Sequence, residues 1–123
     1  MLKVHTRTLG NVAVVCLQGR IVNGETAALR EAVASQSQAR TLLLDLSRVS
    51  TIDASGLGLM LDFRRQTQTR GIRFKLINVP TAVSRVLEVT RLDSVFEIGS
   101  AAEAMPAPAL GRTARMVPFA RCA

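Results

Sequence analysis

The chain is 123 residues long, carries a formal net charge of +7 and is 48% hydrophobic, which suits one domain that needs no metal or disulfide staple. Arg112, Arg115 and Arg121 hold part of the positive excess near the C-terminus, and with no Trp, no Tyr and four scattered Phe the chain lacks the stacking platforms of a single-strand nucleic-acid binder. Apolar runs are far shorter than a bilayer span and no charged-then-apolar leader opens the sequence, so a cytoplasmic protein without membrane insertion is expected.

Val4, Thr6 and Thr8 alternate with His5 and Arg7, and Gly10-Asn11 offers a reversal before Val12 to Leu17. That pattern predicts a β-hairpin. His5 is the single histidine and reads as a solvated strand side chain. Gly19 and Gly24 bracket a loop. Asn23 is the expected N-cap of a helix with Leu29, Ala32 and Val33 on its apolar stripe and Glu25 in its first turn. Leu42 to Leu46 is a short, nearly unbroken apolar run, expected as a strand buried on both faces.

A second helix is expected after Ser55, with Leu57, Met60 and Leu61 at helical spacing. Arg64, Arg65 and Arg70 lie toward its end, and Gly71 terminates it. Ile72, Phe74 and Leu76 alternate with Arg73 and Lys75, predicting a strand with one wetter face. Asn78-Val79-Pro80 closes it. A short helix follows over about Thr81 to Thr90, then a strand at Val95 to Ile98. Ser100 to Glu103 reads as a capping box opening a last turn or two. From Pro106 the composition turns to Pro, Ala, Gly and Arg, expected as a disordered tail over 106–123. The predicted order is β-β-α-β-α-β-α-β-α. It describes an α/β domain over 1–105, a mixed sheet of about four to five strands with helices packed against it.

Chemistry has few places to sit. Ser55 lacks the flanking glycines of a hydrolase elbow, since those positions hold Asp53 and Leu57. The run Asp53-Ala54-Ser55-Gly56-Leu57-Gly58 lacks the Lys-Ser/Thr ending of a phosphate loop. No enzyme activity and no catalytic residue are expected. Asp45 reads as satisfied at a strand end, and Asp53 as bonded to loop or helix amides. Cys16 and Cys122 match neither a metal-ligand spacing nor a disulfide framework. No metal or cofactor is expected.

Residues 42–61, LLLDLSRVSTIDASGLGLML, followed by 72–79, IRFKLINV, and 86–98, VLEVTRLDSVFEI, resemble the STAS domain of bacterial anti-sigma-factor antagonists over roughly residues 3–105. The resemblance implies a phosphorylation-switched binding module acting in transcription regulation. Ser55 would be the phosphoserine, with Asp53, Ala54 and Gly56 supporting the site. Unphosphorylated, it would sequester an anti-sigma factor that is also a serine kinase. A phosphatase would reset it, without direct DNA binding and as a monomer or weak dimer. The implied partner surface takes in Asn23, Gly24, Thr51, Ile52 and Gly58. Many members carry a second hydroxyl where this chain has Ala54, and an acidic residue where it has Val22. The same fold also serves as a STAS subunit of lipid-transport ABC systems, where the partner is an ATPase.

Overall fold

In the computed structural model, which describes residues 2–36 and 38–99, the fold begins with the expected reversal. Gly10 takes a φ of 60°, a conformation only glycine reaches without strain. It lets β1 (Lys3–Leu9) return as β2 (Val12–Ile21), antiparallel and in register from Leu9 opposite Val12 to Lys3 opposite Gln18. From β2 onward each connection carries a helical element. The order is α1 (Ala27–Ala34), β3 (Thr41–Ile52), α2 (Ala54–Thr69), β4 (Arg73–Ile77), α3 (Thr81–Val89), a 3-10 turn at Leu92–Ser94 and β5 (Glu97–Gly99). The five strands lie in sheet order β1-β2-β3-β4-β5, parallel from β2 to β5. The α/β class, the mixed sheet and the helices against it stand as expected.

Because each crossover leads to the next neighbour in the same direction, right-handed connections place every helix on one face of the sheet. The main core agrees. Ala13, Val15 and Leu17 of β2, Leu42, Leu44 and Leu46 of β3, and Phe74 and Leu76 of β4 share one cluster with Leu29 and Val33 of α1, Met60 and Phe63 of α2, and Val83 and Leu87 of α3. The alternate residues Val12, Val14, Cys16, Leu43 and Ile77 are also buried but stand outside that cluster. The central strands are therefore buried on both faces, as their unbroken apolar runs demand, with α1, α2 and α3 on one face only.

Several local expectations change. Asn23 is not an N-cap: Thr26 holds that position, without a side-chain bond. The reason is a turn that delays the helix, closed by the Glu25 N–H donating to the Val22 carbonyl at 3.1 Å, with Gly24 at a φ of 87°. Glu25 accordingly precedes the helix and pairs with Arg20 at 3.3 Å. Lys75 is buried at 4% exposure, where alternation predicts a wetter face; β5 sets Glu97 beside it in the sheet, and its ammonium lies 4.0 Å from that carboxylate. Arg73 holds the same carboxylate through Nε–Oε1 at 3.0 Å, and that guanidinium keeps Glu97 below the usual carboxylate range. The last described strand starts two residues later than expected, because Leu92–Ser94 winds a 3-10 turn first. Asp45 lies within β3, fully buried, accepting from the Ser47 N–H at 2.9 Å and the Asn78 amide at 3.2 Å. Cys16 is disulfide-bonded, against the sequence reading; separation along the chain carries no information about proximity in the fold. The capping box at Ser100–Glu103 and the 106–123 tail lie outside the described residues.

The end of α2 follows expectation. Gly71, at a φ of 72°, donates to the Gln68 carbonyl while the Ile72 N–H reaches the Thr67 carbonyl at 2.8 Å, the paired bonds of a Schellman stop. Its buried face is rotated from the expected one. Gly56, Leu57, Leu59, Met60, Phe63 and Thr67 point inward, and Leu61 is 36% exposed. Replacing Leu59 with Ala is therefore expected to cost about 2–5 kcal/mol, and Leu61→Ala under about 1 kcal/mol, as surface changes do. Urea denaturation of the two variants measures both, and the reversed order would restore the sequence-derived face.

Candidate functional site

β2 and β3 finish side by side, with Ile21 opposite Ile52 and Arg20 opposite Thr51. The Ser50 hydroxyl donates to the Gly19 carbonyl at 3.3 Å, adding a side-chain tie between the two strand ends. The chain then turns at Asp53, whose extended backbone (φ −105°, ψ −175°) makes it the N-cap of α2. Its N–H stays on the sheet, donating to the Ile21 carbonyl at 3.3 Å, while its carbonyl accepts the first helical bond from Leu57 at 2.9 Å.

The Asp53 carboxylate bridges two loops. Oδ1 accepts from the Gly56 N–H at 2.9 Å, the capping bond of the helix. Oδ2 accepts from the Asn23 N–H at 3.1 Å, thirty residues away in the β2–α1 loop. These N–H donors, Gly56 foremost and then Asn23, hold the Asp53 carboxyl below its ordinary value, because they bond the charged form. Asn23, Gly24, Thr51, Asp53 and Ser55 are thereby gathered at the C-terminal ends of β2 and β3, with Asn23, Gly24, Thr51 and Ser55 exposed. Sequence reading assigned Asp53 to loop or helix amides; it serves both loops at once.

Gly56 is where the helix touches the sheet. A Cβ there would lie 2.2 Å from the Ile21 carbonyl oxygen and 2.7 Å from Ile52 Cγ1, far inside any real contact. Only glycine lets α2 approach this closely. Ile52, expected on the partner surface, is 5% exposed; it forms the floor under Gly56 and does not reach outward. Gly58 is the opposite case, exposed and with open space where a side chain would stand. Ser55, the second residue of α2, is exposed immediately before Gly56. Ala54 beside it is exposed and carries no hydroxyl. Val22 is half-buried, and a carboxylate that sequence reading placed elsewhere belongs to the same loop: Glu25, whose partner Arg20 is itself 57% exposed. Such a pair adds little stability.

Among the described residues no cluster of three or more His, Cys, Asp or Glu side chains could hold a metal ion, and no helix is long and apolar enough to cross a membrane. The junction presents exposed polar groups at the ends of β2 and β3.

Comparison with known proteins agrees with the architecture. A family model described as the STAS domain matches residues 3–104. An anti-sigma factor antagonist from Mycobacterium paratuberculosis superposes with a TM-score of 0.69 at 24% identity, over 80% of this chain and 85% of that one. Bacillus SpoIIAA in its unphosphorylated form gives 0.69 at 21% identity, over 83% and 92%. An anti-sigma-factor antagonist (STAS) domain protein from Planctomyces limnophilus gives 0.70 at 21%, over 82% and 93%. At these identities the likeness concerns the fold.

Two outcomes follow for stability. Gly56→Ala is expected to cost about 1–3 kcal/mol or more through overpacking, whereas Gly58→Ala gains up to about 1 kcal/mol of helix propensity; thermal melts of the two proteins give the comparison. Asp53→Ala is expected to lower the melting temperature by several degrees in a pH-dependent way. The folded Asp53 carboxyl lies below the ordinary 3.8, so its contribution is full well above that value. It fades as pH falls through 3.8 and then through the folded value. Melts of wild type and variant from pH 7 to pH 2 should converge at the acid end.

Proposed function

This chain belongs to the STAS domain family, and we propose that it acts there as an anti-sigma factor antagonist, a non-enzymatic module whose partner binding is set by phosphate on Ser55. The observation that carries the proposal is the placement of one exposed hydroxyl in the first turn of α2, on a junction that Asp53 and Gly56 hold rigid. Unphosphorylated, Ser55 lies on a surface shared with Asn23, Gly24, Thr51 and Gly58, and a partner anti-sigma factor with serine kinase activity docks there. Docking withdraws the anti-sigma factor from its sigma factor.

Phosphorylation changes charge without needing to change shape. A phosphoserine carries about −1.5 to −2 charges. At the N-terminal end of α2 the helix dipole favours an anion, so the fold tolerates it. The Gly56 N–H of that first turn is already engaged by Asp53, so the phosphate meets a neighbouring carboxylate and projects toward the partner. Enclosing it in an interface sets like charge and lost hydration against binding, effects worth several kcal/mol when unpaired. About 1.4 kcal/mol is a tenfold change in affinity. A phosphatase resets the state.

Ser55→Asp is expected to weaken partner binding by about 100-fold or more, roughly 2.8 kcal/mol, with little change in melting temperature. Ser55→Ala is expected to bind like the unmodified chain and to accept no phosphate. Affinity capture from the native cell, read by mass spectrometry, supplies the partner for these titrations. Recovery of a transporter ATPase in place of a small serine kinase, or equal affinity of all three forms, would contradict the reading.

A further inference from the structure

The first strand is an open edge of the sheet. Among the described residues β1 has no strand beside it except β2, and all its residues are exposed apart from the half-buried Val4. A two-residue hairpin turn is closed by hydrogen bonds between the residues that flank it, so Leu9 exchanges them with Val12. By alternation Arg7 bonds Val14, His5 bonds Cys16 and Lys3 bonds Gln18. The N–H and C=O groups of Val4, Thr6 and Thr8 therefore point outward, away from the sheet.

We propose that this edge pairs with the same edge of a second copy of the chain, antiparallel, with Thr6 on the two-fold axis. The strand Lys3–Leu9 is centred on Thr6, so an axis there uses its whole length. Thr6 meets Thr6, Val4 meets Thr8, His5 meets Arg7 and Lys3 meets Leu9. The residues whose backbone points outward thus face one another, as a hydrogen-bonded ladder requires. A shift of one residue would set outward groups against inward ones and turn every side chain to the wrong face.

The side chains fit the same register. Val4, Thr6 and Thr8 lie on the helix side of the sheet, where Val4 packs against the core. Across the axis they form Thr–Thr and Val–Thr pairs, which stabilise neighbouring strands. A shallow groove runs along that side, lined by Val4 and Thr6 of β1 and by Ala28, Glu31, Ala32 and Ser35 of α1. Its small and polar walls suit incoming threonines. On the other side Leu9 is 40% exposed and receives the aliphatic stem of Lys3 from the second copy. Lysine on an edge strand commonly deters pairing, but in this register no lysine faces a cation, and the residue opposite Arg7 is His5.

Sedimentation velocity of the full-length chain tests the pairing. The weight-average mass is expected to rise from one chain toward two between about 1 μM and about 1 mM, the range of a small interface. Thr6→Pro removes an outward N–H at a position where an edge strand tolerates proline, and is expected to weaken association at least about tenfold. The register is read separately, with Thr6→Cys and Thr8→Cys under mild oxidation. Hydrogen-bonded partners lie about 5.5 Å apart at Cα, within disulfide reach, whereas the two copies of residue 8 stand about 14 Å apart. Both variants keep Cys16 and Cys122, so their comparison isolates the added thiol. Reduction-sensitive dimer is expected to be at least about tenfold more abundant for Thr6→Cys. A single-chain mass at every concentration would leave the edge to a strand of some other protein. Association untouched by Thr6→Pro, or equal cross-linking of the two cysteine variants, would move the contact to another surface; any of these overturns the proposal.

Discussion

The close approach of α2 to the end of β2 is the constraint on which the rest of the site depends. Gly56 sits where any side chain would strike the Ile21 carbonyl. That contact fixes both the height of the helix above the sheet and its rotation. Asp53 then locks the arrangement with one carboxylate, bonding the helix through Gly56 and the preceding loop through Asn23. Two loops distant in sequence become one surface. Ser55 stands about 100° around the helix from Gly56, on the side that faces away from the sheet, and is exposed.

The same constraint explains where sequence reading went astray within α2. Counting apolar residues selects Leu57, Met60 and Leu61 as a face. The stripe centred on Gly56 instead takes in Met60, Phe63 and Thr67, and Leu61 falls about 140° around the helix from Gly56. A glycine has no hydrophobicity to register in such a count, yet here it sets the phase. Thr67 joins the buried stripe because its hydroxyl finds the Phe63 carbonyl at 2.8 Å, which cancels the cost of burying it.

Other features were legible because they are local. The Gly10-Asn11 reversal, the apolar runs of β2 and β3, the junction at Asp53 and the stop at Gly71 each follow from a few adjacent residues, and the element order follows from them. What escaped depends on distant partners. Lys75 lies buried with Glu97 of β5 beside it. Asn23-Gly24 reads equally well as a cap or as a turn, and the turn prevails where Asp53 receives the Asn23 N–H. Ile52 lies in the motif that suggested the partner surface, but its side chain forms the floor beneath Gly56. Adjacency in a motif does not specify which residues face outward.

In the proposed switch, phosphate on Ser55 changes the surface and leaves the fold alone. The most direct measurement is the amide spectrum of the isotope-labelled full-length chain with and without phosphoserine at 55, recorded beside the affinity of each form for the captured partner. Shifts confined to the neighbourhood of residues 21–26 and 51–60 are expected, with partner affinity reduced about 100-fold or more. Shifts reaching across β4 and β5, or an affinity that phosphate leaves unchanged, would contradict it.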